Sequence, residues 1–247
     1  MRLAARLALS LFVAVAGASG ITGGIGGSAF AETAAERRNW PSPNLLARQF
    51  DRIAFSSEFG GQYRAGRLIR WDGPITVRIT GHAPDRFRVE VERQLAELRQ
   101  LSGLSIEFAA EGGETTPNMI VEFSQSRGAT TFDPNAPCRT LIWESGLLIR
   151  KVQIYITPYP DELRRHCIVE ELTQSLGLAD DSTVVRDSIF NDSSSRQRLA
   201  PWDALMVRVL YDPRLKPGMH RTEAMPIVHK IIQENLHRGG TSSSRPR

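Results

Sequence analysis

Between Pro74 and Leu101 the hydrophobic period of the chain changes once, and that change limits the fold more than any other feature. Pro74–Thr80 (PITVRIT) alternates apolar and polar side chains, the pattern of a strand with one face buried. From Asp85 to Leu101 the apolar positions Phe87, Val91, Leu95 and Leu98 follow helical spacing, and Gly103 stands where a C-cap glycine ends a helix. Short strands are predicted at Leu104–Phe108 and Asn118–Phe123. A loop carrying Asp133-Pro134 and Ala136-Pro137 leads to further strands at Thr140–Trp143 and Val152–Thr157, the last ended by Pro158 and Pro160. A helix is predicted from about Asp161, its N-cap, to Leu176, with Gly177 past its end. Its apolar stripe is Ile168, Leu172 and Leu176, widened by Val169. Later helices start near Pro201 and cover Thr222–Leu236. This order predicts one α+β domain, a mixed sheet with a helical C-terminal part, and 247 residues suffice to bury its core.

The first 31 residues read as an address. Arg2 and Arg6 form a positive start, Leu7–Ala16 is an apolar run, and Ala29-Phe30-Ala31 offers a small-x-small cleavage site before Glu32. The apolar run is short for a bilayer span and glycines follow it at once, so a cleaved signal peptide is favoured over an uncleaved N-terminal anchor. The resulting expectation is a periplasmic or secreted bacterial protein with no stable membrane span in its mature form. The formal charge of +4 falls to +2 without Arg2 and Arg6. Only three of the 31 basic residues are lysines, and the arginines are scattered, so no nucleic-acid footprint is present. Residues 32–63 read as a polar lead-in with an apolar cluster at Leu45, Leu46, Phe50, Ile53 and Phe55. The main domain is assigned to 64–215, and 216–247 to a C-terminal helix and a disordered Ser/Arg tail.

Export decides how the two cysteines are read. Cys138 and Cys167 are the sole pair, and an oxidising compartment makes a disulfide the default. The alternative is a reactive Cys167 beside His166, but neighbours on a helix point about 100° apart and face each other poorly.

Three segments then follow in order: Val169–Asp180 (VEELTQSLGLAD), Asp187–Asp192 (DSIFND), and Leu199–Asp203 (LAPWD) leading to Leu210-Tyr211. Together they resemble the C-terminal half of a metzincin zinc peptidase. That family carries H-E-x-x-H-x-L-G-L-x-H, a methionine turn of the S-I-M type, then L-S-x-x-D-x-x-x-I-x-x-L-Y. Its logic is geometric: ligands four residues apart share a helix face, the glutamate between them faces the metal-bound water, and the glycine turns the chain to deliver a third ligand. Here the frame is kept and the ligands are not. Glu170 and Gln174 stand at the two histidine positions, Asp180 at the third ligand position, and Phe190 at the turn methionine; Glu171 matches the general base. The VEELTQSLGL and SIFND strings, with the two cysteines, also resemble an exported bacterial family of unknown function.

The resemblance covers roughly Leu68–Asp212 and implies a zincin-like fold with a peptide-binding edge strand at Thr140, Leu141, Ile142 and Trp143. A Glu170/Gln174/Asp180 set is all oxygen, so zinc is not expected, whereas calcium or magnesium would suit it better. His166, one turn before Glu170, is expected at the surface or in a capping contact. The function implied is a non-catalytic module binding a peptide or an envelope protein. The alternative is a hydrolase, either a metallopeptidase with altered ligands or a carboxylate enzyme acting on cell-wall glycan, in which Glu171 pairs with Asp180 because adjacent Glu170 and Glu171 diverge on a helix. Tyr63, Trp71, Trp143 and Trp202 are expected in the core or on a cleft wall.

Overall fold

Alternation in the strands and its loss in the central one explain the sheet. A computed structural model describes residues 39–56, 66–110, 115–126 and 135–238. The expected signal peptide at residues 1–31, Tyr63, Asp133-Pro134 and the expected Ser/Arg tail lie outside the described residues. Five strands, β1 (Ile75–Gly81), β2 (Ile106–Phe108), β3 (Met119–Phe123), β4 (Cys138–Ser145) and β5 (Leu148–Ile156), form one sheet in the order β2-β1-β3-β5-β4. The first four in that order run parallel, and β4 is antiparallel to β5 at the edge. In β3 the buried residues Met119, Val121 and Phe123 alternate with half-buried ones. In β5 the run Val152, Gln153 and Ile154 is buried without a break, because this strand lies between β3 and β4. β4 and β5 are joined by the two-residue turn Gly146-Leu147, with φ of 62° and 65°, the hand of turn that matches strand twist. Both strands are longer than the sequence reading made them, since the hairpin extends their pairing beyond the apolar runs.

Among the described residues there are five helices, α1 (Pro43–Phe55), α2 (Asp85–Ser102), α3 (Asp161–Gln174), α4 (Pro201–Leu210) and α5 (Arg221–Arg238); α2 and α3 pack against strands, and α1, α4 and α5 pack against other helices. α2 ends as predicted, with Gly103 at φ 72° donating its N–H to the Arg99 carbonyl at 3.0 Å. α1 is a helix that the sequence reading left unassigned within the lead-in. Its N-cap is Ser42, whose hydroxyl accepts from the Leu45 N–H, and its apolar stripe of Leu46, Phe50 and Ile53 is fully buried. These side chains and Val228 and Ile231 of α5 belong to the same core as the sheet and α3.

α3 departs from its expected form in two ways. Asp161 is the first helical residue rather than the cap, because its carboxylate is taken by the Arg86 guanidinium at 2.7 and 3.1 Å. The expected stripe is not a stripe: eight consecutive residues, His166–Thr173, are buried, so the helix is enclosed on all sides by α2, β4, β5 and the loop that follows it. Among the described residues no helix is long and apolar enough to cross a membrane.

Candidate functional site

α3 carries the residues that the motif singled out, and its enclosure changes what they can do. Glu170 is 7% exposed, Glu171 6% and Asp180 2%, so these are interior acids rather than a solvated helix face. Buried carboxylates must find partners. Glu170 finds His166, one turn earlier, with Oε2 at 3.2 Å from Nε2. The other imidazole nitrogen, Nδ1, lies 2.7 Å from the Arg196 carbonyl. His166 is therefore buried, not at the surface or capping, because the chain around Arg196 folds over the start of α3. The His–Glu spacing of four was the signal that could have revealed this contact. Burial pushes the Glu170 carboxyl upward, with the Asp192 charge adding and His166 partly opposing. Burial alone would lower the imidazole, but Glu170 and the Arg196 carbonyl outweigh it and its pKa rises.

The remaining motif residues are engaged elsewhere. Gln174 Nε2 donates to Asp181 Oδ1 at 2.7 Å. Asp180 faces Arg52 of α1, with Oδ2 3.2 Å from Nε, while its Oδ1 accepts the Asp181 N–H at 3.0 Å. Glu170, Gln174 and Asp180 are thus each held by a different group. Among the described residues two sets of ligand-type atoms do converge within 4.8 Å: Cys138 with Glu170 and Glu171, and Glu170 with Asp181 and Asp192. In the first set the sulfur is committed to the Cys138–Cys167 disulfide, whose Cα atoms are 5.8 Å apart. Glu170 and Glu171 were expected to diverge; their long side chains instead bring carboxylate oxygens together inside the enclosure. Asp180 belongs to neither set; its neighbour Asp181 belongs to the second.

β4 lies beside α3. The disulfide ties the first residue of β4 to the helix, and the Thr140 hydroxyl donates to the Glu171 carbonyl at 3.3 Å. Thr140, Leu141 and Ile142 are half-buried, while Trp143 is 46% exposed with the Lys151 ammonium 5.1 Å from its ring centre. Among the described residues, β4 is the terminal strand of the sheet and pairs with β5 alone. Trp71 is buried, its indole N–H donating to the Ser175 carbonyl at 3.0 Å. Trp202 packs edge-on against Trp40.

The segment with Phe190 in the methionine position is fixed by a buried polar chain. Ser182 Oγ donates to Gln49 Oε1 at 2.7 Å, Gln49 Nε2 donates to Ser188 Oγ at 3.2 Å, and Ser188 Oγ donates to Asp203 Oδ1 at 2.6 Å. Asp203 Oδ2 also accepts the Ile189 and Ala200 N–H groups. Burial pushes the Asp203 carboxyl up to about 6 despite these donors. An acid whose folded pKa lies above its unfolded value stabilises the fold most below the unfolded pKa, and that contribution is lost as pH rises through about 6. Stability should therefore fall between pH 4 and pH 6–7 by up to about 3 kcal/mol from this group. Urea titrations across that range should show the fall in the parent and a flatter profile in Asp203→Asn; matching profiles would exclude Asp203 as the source.

Three comparisons place the chain among known proteins. No curated protein matches it. A solved structure titled "Structure of myroilysin" aligns with a TM-score of 0.40 at 14% identity, over 62% of this chain and 98% of that one. That likeness is too distant to carry any statement about site or activity. The family described as "Protein of unknown function (DUF2927)" matches residues 43–230, from the start of α1 into α5. That span is well over half of the sequence and takes in every motif residue described above, and the chain therefore belongs to the DUF2927 family.

Proposed function

We propose that the protein is an exported peptide-binding module built on a zincin-like frame, with zinc hydrolysis lost. The observation that carries this reading is β4: among the described residues an edge strand with one side unpaired, tied to the motif helix through Cys138–Cys167 and Thr140. An extended peptide can add to such an edge through main-chain hydrogen bonds, with side-chain subsites giving selectivity. The helix beneath offers no zinc ligand set. No histidine stands at either ligand position, the Gln174 amide nitrogen donates to Asp181 and leaves only a carbonyl oxygen, a poor zinc ligand, and Asp180 faces Arg52, so the donors present do not fit zinc. The disulfide supports export. The occupant we assign is a segment of an envelope protein or a secreted peptide, bound in the mature protein from residue 32 onward. In this reading 64–215 forms the module and the C-terminal helix supports it.

Trp143 provides the test, since it is exposed and its removal spares the core. Peptides selected from a random display library on the purified protein are expected to bind at least about tenfold more weakly to Trp143→Ala, the usual loss for an aromatic anchor. N-methylation of alternate amides in a selected peptide should abolish binding, because strand addition needs those donors. Capture of no peptide, or peptides indifferent to both changes, would remove the edge-strand reading.

A further inference from the structure

The second carboxylate set has no role in the peptide-binding reading and does not depend on it. Glu170 comes from the middle of α3, Asp181 from the turn just beyond the helix, and Asp192 from the far side of the following loop. Each nevertheless brings a carboxylate oxygen within 4.8 Å of the other two. Three acids drawn together from separate segments repel one another unless a positive charge lies between them. A second observation points the same way. Glu170 is 93% buried by its 7% exposure, and its Oε1 has no hydrogen-bond partner, while Oε2 is near His166. A buried carboxylate oxygen without a donor is costly, and such groups call for a bound ion or water.

The remaining surroundings favour a cation over rearrangement. Asp181 is held by the Gln174 amide, and the Arg52 guanidinium is occupied by Asp180 and by the Asp181 carbonyl at 3.2 Å. Asp192 is exposed, which opens the set to solvent. Beside it a cleft of about 460 Å³, lined by Arg52, Asp181, Ser182, Asn191, Asp192 and Ser193, has room for an ion with its waters. All three candidate ligands are oxygens, the donors of hard cations. Size selects among them. Calcium binds oxygens at 2.3–2.6 Å and so spans ligands up to about 5 Å apart, whereas magnesium spans only about 4 Å and would require the set to contract.

We propose that Glu170, Asp181 and Asp192 form a site for one hydrated calcium ion, which clamps the loop after α3 onto the helix. Glu170 is the anchoring ligand, His166 its positioning residue, and Asp192 the ligand that closes the site from solvent. The three side chains supply fewer ligands than a dedicated calcium loop, so binding belongs at the weak end, with Kd of about 0.1–1 mM.

The test uses the full mature chain, stripped with chelator and titrated separately with calcium, magnesium and zinc chloride by calorimetry, with thermal unfolding in parallel. Calcium is expected to bind at one ion per chain, more tightly than magnesium, and to raise Tm by about 3 °C at 5 mM. Asp192→Asn, at an exposed position, should keep the fold and the metal-free Tm while weakening calcium at least tenfold. Asp181→Asn and Glu170→Gln, where they remain folded by circular dichroism, should likewise weaken calcium at least tenfold. Absence of calcium binding up to 10 mM, or calcium binding that Asp192→Asn leaves unchanged, would overturn the assignment. Stoichiometric zinc binding without calcium binding would overturn it as well.

Discussion

Gly177→Ala is expected to destabilise the domain by about 4 kcal/mol or more. Two costs add at one position. Gly177 has φ of 119°, a backbone conformation that side chains rarely adopt, and a Cβ built there would lie 2.3 Å from the Ile69 carbonyl oxygen. That oxygen belongs to backbone entering β1, not to the end of a side chain that could swing aside. The surroundings are also fixed: Leu176 gives its carbonyl to the Tyr211 hydroxyl at 2.9 Å, and Ser175 gives its carbonyl to the Trp71 indole at 3.0 Å. Neither partner strand of chain can retreat without breaking these contacts. Gly103→Ala is the control. It shares a positive φ, 72°, but has nothing within 4 Å of the added carbon, so its expected loss is only about 1 kcal/mol. Urea midpoints of the two variants against the parent decide the matter. Equal losses would show that backbone conformation alone matters and that the close approach to Ile69 relaxes freely.

Removing the Cys138–Cys167 bridge is expected to cost about 3–4 kcal/mol, the loop-closure entropy released in the unfolded chain by a 29-residue separation. The paired serine variant should lose this much relative to the oxidised parent, and reduction of the parent under denaturing conditions should reproduce the loss. Cys167 is fully buried in α3 and Cys138 opens β4, so the bridge also holds the edge strand against the helix. In the serine variant, amide exchange should quicken in Cys138–Ser145 more than in β1 or β3, which are paired on both sides. An unchanged urea midpoint would mean that packing alone fixes the two ends, and uniform exchange across the sheet would deny β4 any special dependence on the bridge.

Legibility in the sequence followed the range of the interaction. The elements could be read because their signals are local: PITVRIT has the strand period, Phe87–Leu98 has the helical one, and Gly103 terminates α2 where a left-handed residue is needed. The single cysteine pair could be read because it allows one connectivity. α1 is legible in principle, since Leu46, Phe50 and Ile53 are spaced for a helix behind a serine cap, but a short apolar stretch among polar residues carries a weak signal. The candidate sites were legible only in part. The motif frame marked Glu170, Glu171, Gln174 and Asp180, yet not which of them would meet.

The sequence by itself determined the periods, the caps and the one possible disulfide, because each depends on neighbours a few residues away or on simple counting. Tertiary structure alone decided that Asp181 rather than Asp180 joins Glu170, that Asp192 completes the set, and that His166 is buried against Arg196. It also decided that Gln49 reaches Ser188 across 139 residues to support Asp203. Such contacts have no local signature. Where a buried carboxylate finds its partner depends on which surfaces the packed helices and sheet bring together, and desolvation then gives each meeting its energetic weight.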